Sequence, residues 1–181
     1  MMALPHRPRS RNGAGLPAVT PERIVDAAIR LTGRVGLENW TLRQLAAEIE
    51  ASPAVVYHHV GDREAVVAQV IERVTSRIPT PPESLPWREW FATMLDNHRQ
   101  VLRAYPGIAY RLARSGPAAA TGQLGVSLLA EAGFGTESVI AHTVLMTTAC
   151  QYIALADDDI FTYGIQRCLD GLEHRLADLA R

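Results

Sequence analysis

The chain has 181 residues, 48% of them hydrophobic, and a formal net charge of −1. This length and composition suit one large domain or two smaller ones and exclude a disordered chain. There is no run of roughly eighteen apolar residues and no apolar stretch typical of a secretory signal, so we expect a cytoplasmic protein without a membrane partner.

The charge is distributed unevenly, and all eighteen basic residues are arginine. Residues 1–78 hold ten Arg against eight Asp and Glu, whereas residues 79–181 hold eight against eleven. Because Arg binds a phosphate or a guanine edge with two parallel hydrogen bonds, a small local excess is compatible with nucleic-acid binding. Cys150 and Cys168 lie in apolar helical patterns, which indicates reduced core or interface residues.

Residues 1–18 are rich in Pro, Gly and Arg and show no periodicity, which predicts a flexible arm. Its strong charges are Arg7, Arg9 and Arg11. Two interpretations stay open: a solvated tail, or a basic arm that lies in a DNA minor groove.

Residues 41–66 predict two short helices, a tight turn and the start of a third helix. Thr41 is a helix cap, and Gln44 three residues later completes a capping box. Ser52 and Pro53 repeat a helix start, and Gly61 followed by Asp62 ends that helix and caps the next. This is the layout of a helix-turn-helix that reads DNA, within a domain that we place at residues 19–78.

The segments Y-H-H-V-G-D-R-E-A-V (57–66) and T-P-E-R-I-V-D-A-A-I-R-L-T-G-R-V-G-L (20–37) resemble the tetracycline-repressor (TetR) family of bacterial transcription regulators. In that resemblance Ala27, Ala28, Leu31 and Val35 of the first helix face inward. The sequence departs from the family at Glu50, which replaces a turn glycine, at Val55, which replaces a Thr, and at Arg63, which replaces a Lys.

The resemblance implies that the second helix of the motif enters the major groove of double-stranded operator DNA. Thr41, Tyr57 and Arg63 would donate to phosphates, while Ala54 and Val55 would contact thymine methyl groups. Thr41 could equally be a helix cap only. The full set of expected DNA contacts is Thr41, Arg43, Ser52, Pro53, Ala54, Val55, Tyr57, His58 and Arg63.

Residues 79–86 are rich in proline, which predicts a linker. Residues 87–181 have the apolar spacing of a series of consecutive helices. No segment alternates as a strand would, so the fold class is all-α. The N-terminal three-helix motif would therefore precede a helical ligand-binding and dimerisation domain. Thr136 and Glu137 are expected to cap an apolar helix, and Asp157, Asp158 and Asp159 to cap the last one.

Two sets of residues in this second domain are candidates for function, in a homodimer that responds to a small-molecule effector. The first set would surround an apolar cavity, and the second would form the dimer seam. The cavity set is Trp87, Trp90, Phe91, Met94, His98, Tyr110, Leu112, His142 and Met146, and the seam set is Leu169, Leu172, Leu176 and Leu179.

No metal or cofactor is expected. In an ungapped match with the tetracycline repressors, the positions that hold the drug and its magnesium fall on Met94 and Leu112, which cannot ligate a hard cation. The leading hypothesis is a repressor released by an apolar or aromatic ligand. A regulator without small-molecule input and, less favoured, an all-α enzyme are the alternatives.

Overall fold

The computed structural model describes residues 18–115 and 119–181, with the backbone alone at 115 and 119–121. Every regular element in these stretches is helical, which confirms the all-α class. The predicted arm lies outside the described residues except for Ala18. The α-helices are α1 Pro21–Val35, α2 Leu42–Glu48, α3 Pro53–Val60, α4 Arg63–Thr75, α5 Trp87–Leu102, α6 Ile108–Ser115, α7 Ala119–Leu129, α8 Ser138–Leu155 and α9 Asp158–Leu179.

The starts of α2, α3 and α4 are fixed by the predicted caps. Thr41 accepts from the N–H of Gln44 at 3.2 Å, and the Gln44 side chain accepts from the N–H of Thr41 at 2.8 Å. Ser52 caps α3, and Asp62 caps α4 by accepting from the N–H of Ala65 at 2.9 Å. These bonds satisfy N–H groups that the first turn of a helix leaves free.

The turn between α2 and α3 contains Glu50 at a positive φ of 54°. A left-handed conformation costs a residue with a Cβ about 1–2 kcal/mol. The buried Leu45 and Ala46 before the turn and Val56 after it anchor its two sides. The position therefore needs the conformation that glycine adopts most easily, although this sequence holds a glutamate there.

Trp40 is the centre of the core that α1 to α4 share. Its Nε1 donates to Thr32 Oγ1 at 3.0 Å, and that hydroxyl donates to the carbonyl of Ala28 at 2.8 Å. Val35, which we expected to face inward, is instead 45% exposed. It is the last residue of α1, and Leu37 and Trp40 beyond the helix end are buried instead.

The proline-rich segment 79–86 packs against α5. Trp90 Nε1 donates to the carbonyl of Pro81 at 3.2 Å, and Asn97 Nδ2 donates to that of Pro79 at 2.9 Å. Helix α4 ends at Thr75, four residues before Pro79, and the proline-rich segment is held in place by side chains of α5.

Between α7 and α8 the chain turns at Gly133 and Gly135, whose φ values are 114° and 53°. The expected cap at Thr136 and Glu137 was wrong, because neither side chain makes a capping hydrogen bond and both lie in a 3₁₀ turn that runs into α8. By length and composition alone, Gly122–Leu155 is apolar enough to cross a membrane, a criterion that core helices of soluble proteins also meet.

The turn between α8 and α9 uses Ala156 in a left-handed conformation, with a φ of 56°. Asp157 then accepts from the N–H groups of Asp159 and Ile160, both at 3.0 Å. The three successive aspartates therefore begin α9, as the sequence predicted.

Candidate nucleic-acid interface and ligand cavity

Helix α3 presents almost all of its surface to solvent. Of its eight residues, Val56 is buried and Val60 is half-buried, while the other side chains are exposed. Tyr57 is 62% exposed, so its ring and hydroxyl are open to a partner. The predicted contact residues of α3 and its cap are therefore all open to solvent: Ser52, Pro53, Ala54, Val55, Tyr57 and His58.

Arg43 on α2 is the arginine best placed to supply charge to this surface. Among the arginines at described positions up to residue 78, only Arg43 makes no ion pair or hydrogen bond. Thr41, by contrast, uses its hydroxyl hydrogen on Gln44 Oε1 at 3.1 Å. Arg43 thus has all of its donors available to a phosphate or a base edge.

Arg63, for which the family resemblance implied a phosphate contact, is bonded within its own chain. Its Nη2 donates to the carbonyl of Leu37 at 2.7 Å, and its Nε donates to the carbonyl of Trp40 at 3.1 Å. The guanidinium also lies over the Trp40 ring, 4.8 Å from its centroid, and pairs with Glu38 and Glu64. These contacts occupy its donors and tie the start of α4 to the turn between α1 and α2.

The two halves of the molecule meet at the turn between α5 and α6. The N–H of Leu37 donates to the carbonyl of Pro106 at 2.7 Å, and Arg77 donates to the hydroxyl of Tyr105 at 2.9 Å. On α6, Arg111 pairs with Glu38 at 3.3 Å and with Glu64. Arg63 pairs with the same two glutamates, so the junction combines a main-chain hydrogen bond with a cluster of four charged side chains.

A cavity of about 200 Å³ lies where α4, the proline-rich segment, α5, α6, α7 and α8 come together. Its wall is apolar for the most part and includes residues from both halves of the molecule. The lining residues are Glu72, Thr75, Ser76, Ile78, Pro79, Thr80, Met94, His98, Leu112, Gly122, His142, Met146, Thr147 and Cys150.

Five of the nine residues expected around a cavity lie on this wall: Met94, His98, Leu112, His142 and Met146. The other four do not, for identifiable reasons. Trp90 and Phe91 are fully buried and pack edge to face on one another, with ring centroids 5.0 Å apart. Trp87 packs on Phe134, and Tyr110 is exposed on α6, where its hydroxyl accepts from Arg114.

Sequence reasoning missed the contribution of α4 and the segment after it. Glu72, Thr75 and Ser76 are spaced by three and four residues from one another or adjacent, and therefore lie on one side of the end of α4 and its cap. This polar stripe beside the buried Val70 and Val74 was a signal that could have been used.

The two histidines of the cavity are neutral bases at physiological pH. Burial lowers the pKa of His98, and burial followed by the proximity of His98 lowers the pKa of His142. His98 Nδ1 lies 2.8 Å from the carbonyl of Met94, so Nδ1 carries the proton and Nε2 is left as an acceptor. Burial also raises the pKa of the Cys150 thiol to about 11, which keeps it protonated.

The residues expected to form the dimer seam on α9 pack for the most part within their own chain. Leu169 is only 2% exposed, and Leu172 and Leu176 pack against the core of the same chain, so these three face inward. Leu179 is exposed at the end of the helix. Six other apolar side chains of α8 and α9 are exposed to solvent, and we call this set the α8/α9 patch: Val139, Ile140, Val144, Leu155, Ile160 and Tyr163.

The fold and these surfaces define a helical protein with a helix-turn-helix half and a cavity-bearing half. A family model described as bacterial regulatory proteins, tetR family, matches residues 24–70. An HTH-type transcriptional regulator from Saccharopolyspora erythraea is 33% identical over 131 residues, 69% of this chain and 55% of that protein. The chain spans about half or less of the curated relatives that it matches.

Two solved structures share the architecture, each with a TM-score of 0.76 and 20% identity. One is a TetR variant from Acinetobacter baumannii in complex with minocycline, and the match covers 88% of this chain and 99% of that one. The other is BioQ with its natural double-stranded DNA operator, with coverages of 86% and 98%. The chain belongs to the TetR family of bacterial regulatory proteins.

Proposed function

We propose that this chain is a dimeric, operator-binding transcriptional repressor whose DNA affinity is controlled by a small molecule in the cavity. The observation that carries the proposal is the composition of the cavity wall. Glu72, Thr75 and Ser76 come from α4 or its end, and Met94, His98 and His142 come from the helices of the second half. A ligand in this cavity contacts the helix that directly follows α3.

DNA binding is assigned to the exposed face of α3, with Arg43 of α2 beside it. Short side chains at Ser52 and Ala54 permit close approach of the helix start to a base edge, and Tyr57 and His58 add donors. The likeness to an operator-bound structure supports this assignment. A role in transcription also places the protein in the cytoplasm.

A homodimer is assigned to the α8/α9 patch. One α3 of eight residues covers only a small part of a groove, so the motif is used in pairs whose recognition helices lie about 34 Å apart. A two-fold dimer buries the same apolar surface on both chains and gives two such helices. Ile140 and Tyr163, which are 66% and 72% exposed in one chain, would then be covered.

Control by a ligand requires that the ligand bind two states of the protein with different affinities. Those states are two orientations of α4 relative to α5 and α8, because the cavity lies between these helices. The body of the ligand is expected to be apolar or aromatic, since Met94, Leu112 and Met146 supply the wall. Magnesium is not expected to take part.

The proposal is tested by a thermal-shift screen of small molecules followed by a DNA-release assay with the compounds that stabilise the protein. Release of DNA by a compound that loses its effect in a Met146→Ala variant supports ligand control. If compounds that bind the cavity leave DNA affinity unchanged, the protein is a regulator without small-molecule input, which is the second candidate. Family membership favours either regulator over the enzyme alternative.

A further inference from the structure

The cavity wall contains a single formal charge among its described residues, and that charge is negative. Glu72 is the only acidic residue there, no arginine is present, and residues 115–121 contain no ionisable side chain in the sequence. The Glu72 side chain is exposed to solvent at the edge of the cavity, and its carboxylate makes no ion pair or hydrogen bond among the described residues. Glu48 and Glu137, by contrast, pair with Arg34 and Arg175, whereas the exposed Glu83 is unpaired among the described residues, as Glu72 is.

The neutral polar groups of the wall also favour accepting over donating hydrogen bonds. Thr75 Oγ1 donates to the carbonyl of Ile71 at 2.9 Å, and Ser76 Oγ donates to the carbonyl of Arg73 at 3.0 Å. His98 donates through Nδ1 to Met94. Each of these side chains therefore has only lone pairs left for a ligand, while Thr80, Thr147 and His142 can act in either sense.

The rest of the wall is apolar and polarisable. Met94 and Met146 place two thioethers at the cavity, and Leu112, Ile78 and the protonated Cys150 complete the apolar part. Thioethers pack well against aromatic rings. A volume of about 200 Å³ is below the usual range for drug-sized ligands, so the bound molecule is compact.

We propose that the cavity selects a compact amphipathic amine, with an apolar or aromatic body against Met94 and Met146 and a protonated nitrogen at Glu72. A protonated amine has hydrogen-bond donors and no acceptor, which complements the acceptors on the wall. A carboxylate ligand would instead meet Glu72 with the same sign of charge. The inference rests on the proposed function, because it names the ligand class of the same cavity.

The position of Glu72 gives this selectivity a consequence for DNA binding. Glu72 lies on α4, and only two residues separate α4 from the end of α3. A ligand whose ammonium contacts Glu72 and whose body contacts α5 and α8 therefore favours one position of α4 relative to those helices. Because α4 follows α3 directly, the position of α3 changes with it. This is the differential contact that ligand control requires.

The test uses three probes that share one ring system: 1-naphthylmethylammonium, 1-naphthylmethanol and 1-naphthoate. Calorimetric titration of the full chain should show the ammonium binding about two- to fivefold more tightly than the alcohol, the range expected for an ion pair with an exposed carboxylate, and the carboxylate binding more weakly than the alcohol. Glu72→Gln should remove the preference for the ammonium and leave the affinity for the alcohol within about twofold. Glu83→Gln, at an exposed glutamate outside the cavity, is the matched control and should change nothing.

Equal binding of ammonium and alcohol, preferential binding of the carboxylate, binding of none of the probes, or an unchanged preference in Glu72→Gln would each overturn the amine assignment. The same preparations are assayed for binding to an operator duplex. If the probe titrations contradict the amine assignment while the wild type still binds its operator, the proposal of a DNA-binding regulator stands. If the wild type shows no specific DNA binding, the regulator proposal is contradicted regardless of the probe titrations.

Discussion

The main-chain N–H of Leu37 donates to the carbonyl of Pro106 at 2.7 Å, which joins the helix-turn-helix half to the second half through a backbone hydrogen bond. The contact is close because Gly107 follows Pro106. A Cβ built on Gly107 would lie 3.1 Å from the Cβ of Leu37 and 3.3 Å from its nitrogen, and its φ is 94°. The junction thus depends on a residue without a side chain.

Gly107→Ala should therefore push the backbone at Leu37 away from that at Pro106 and lower the free energy of unfolding. The positive φ alone costs about 1–2 kcal/mol for a residue with a Cβ, and the contact with Leu37 adds to it. Chemical unfolding monitored by circular dichroism measures the loss. Gly171→Ala is the matched control, since its Cβ would meet nothing within 4 Å on α9, and it should raise stability by about 0.5–1 kcal/mol. Equal stability of the two variants would contradict this account of the junction.

Arg63 is expected to contribute to stability more than to DNA binding. Arg63→Ala leaves the carbonyls of Leu37 and Trp40 without their donors and removes the stacking on Trp40, which should cost about 1–3 kcal/mol of unfolding free energy. Arg63→Lys should recover only part of it, because an ammonium cannot bond both carbonyls in the geometry of a planar guanidinium. A folded Arg63→Ala protein of wild-type stability that has lost its affinity for all DNA would restore the phosphate role.

The α8/α9 patch predicts how the oligomer can be broken. Ile140→Glu places a charge at a position that is exposed in the single chain, so the variant should fold but should not dimerise. Sedimentation should then give about 19.8 kDa, the mass of one chain, instead of twice that mass. Val35→Glu, another change from an exposed apolar residue to an acid, should leave the mass unchanged. A wild-type protein that sediments as a monomer at micromolar concentration would refute the dimer. Leu172→Glu, by contrast, is expected to disrupt the chain's own core.

Stability should fall as pH decreases below the ordinary pKa of histidine. His98 and His142 have pKa values lowered by burial in the folded state, so between the unfolded value of about 6.5 and the folded values the unfolded chain binds more protons. Their contribution is complete above that window and is lost as pH falls through it, with a slope of at most about 1.4 kcal/mol per pH unit for each group. Thermal melts from pH 8 to pH 5 should show a smaller slope in His98→Gln than in the exposed His174→Gln control. If stability changed with pH equally in both variants, His98 would not be a source of the pH dependence.

Local features of the chain could be predicted from the sequence because their causes are local. Thr41, Ser52 and Asp62 bond to N–H groups within three residues, and the turn at Gly61 needs only its own backbone freedom. The sequence therefore indicated the helix-turn-helix and the boundaries of its helices. The left-handed turn at Glu50 followed from the family resemblance.

The cavity and the dimer surface depended on packing between distant segments. Trp90 and Met94 lie on the same apolar stripe of α5, yet of these two only Met94 lines the cavity. The indole N–H of Trp90 donates instead to the carbonyl of Pro81, which directs the ring away from the cavity. Helix α8 has apolar residues around much of its circumference, so periodicity could not show that Ile140 faces solvent. The role of Arg63 rests on carbonyls more than twenty residues away in sequence, which no local pattern reveals.

The central claim is that α3 reads DNA sequence, and selection from a random duplex pool followed by fluorescence anisotropy at about 150 mM salt tests it. The wild type should bind the selected duplex at least about a thousandfold more tightly than a scrambled one, with two chains on each duplex. Arg43→Ala should weaken binding to both duplexes and lower the salt dependence by about one phosphate contact per chain, whereas His58→Ala should relax the preference among variant sequences. Equal affinity of the wild type for the selected and the scrambled duplex would contradict the claim.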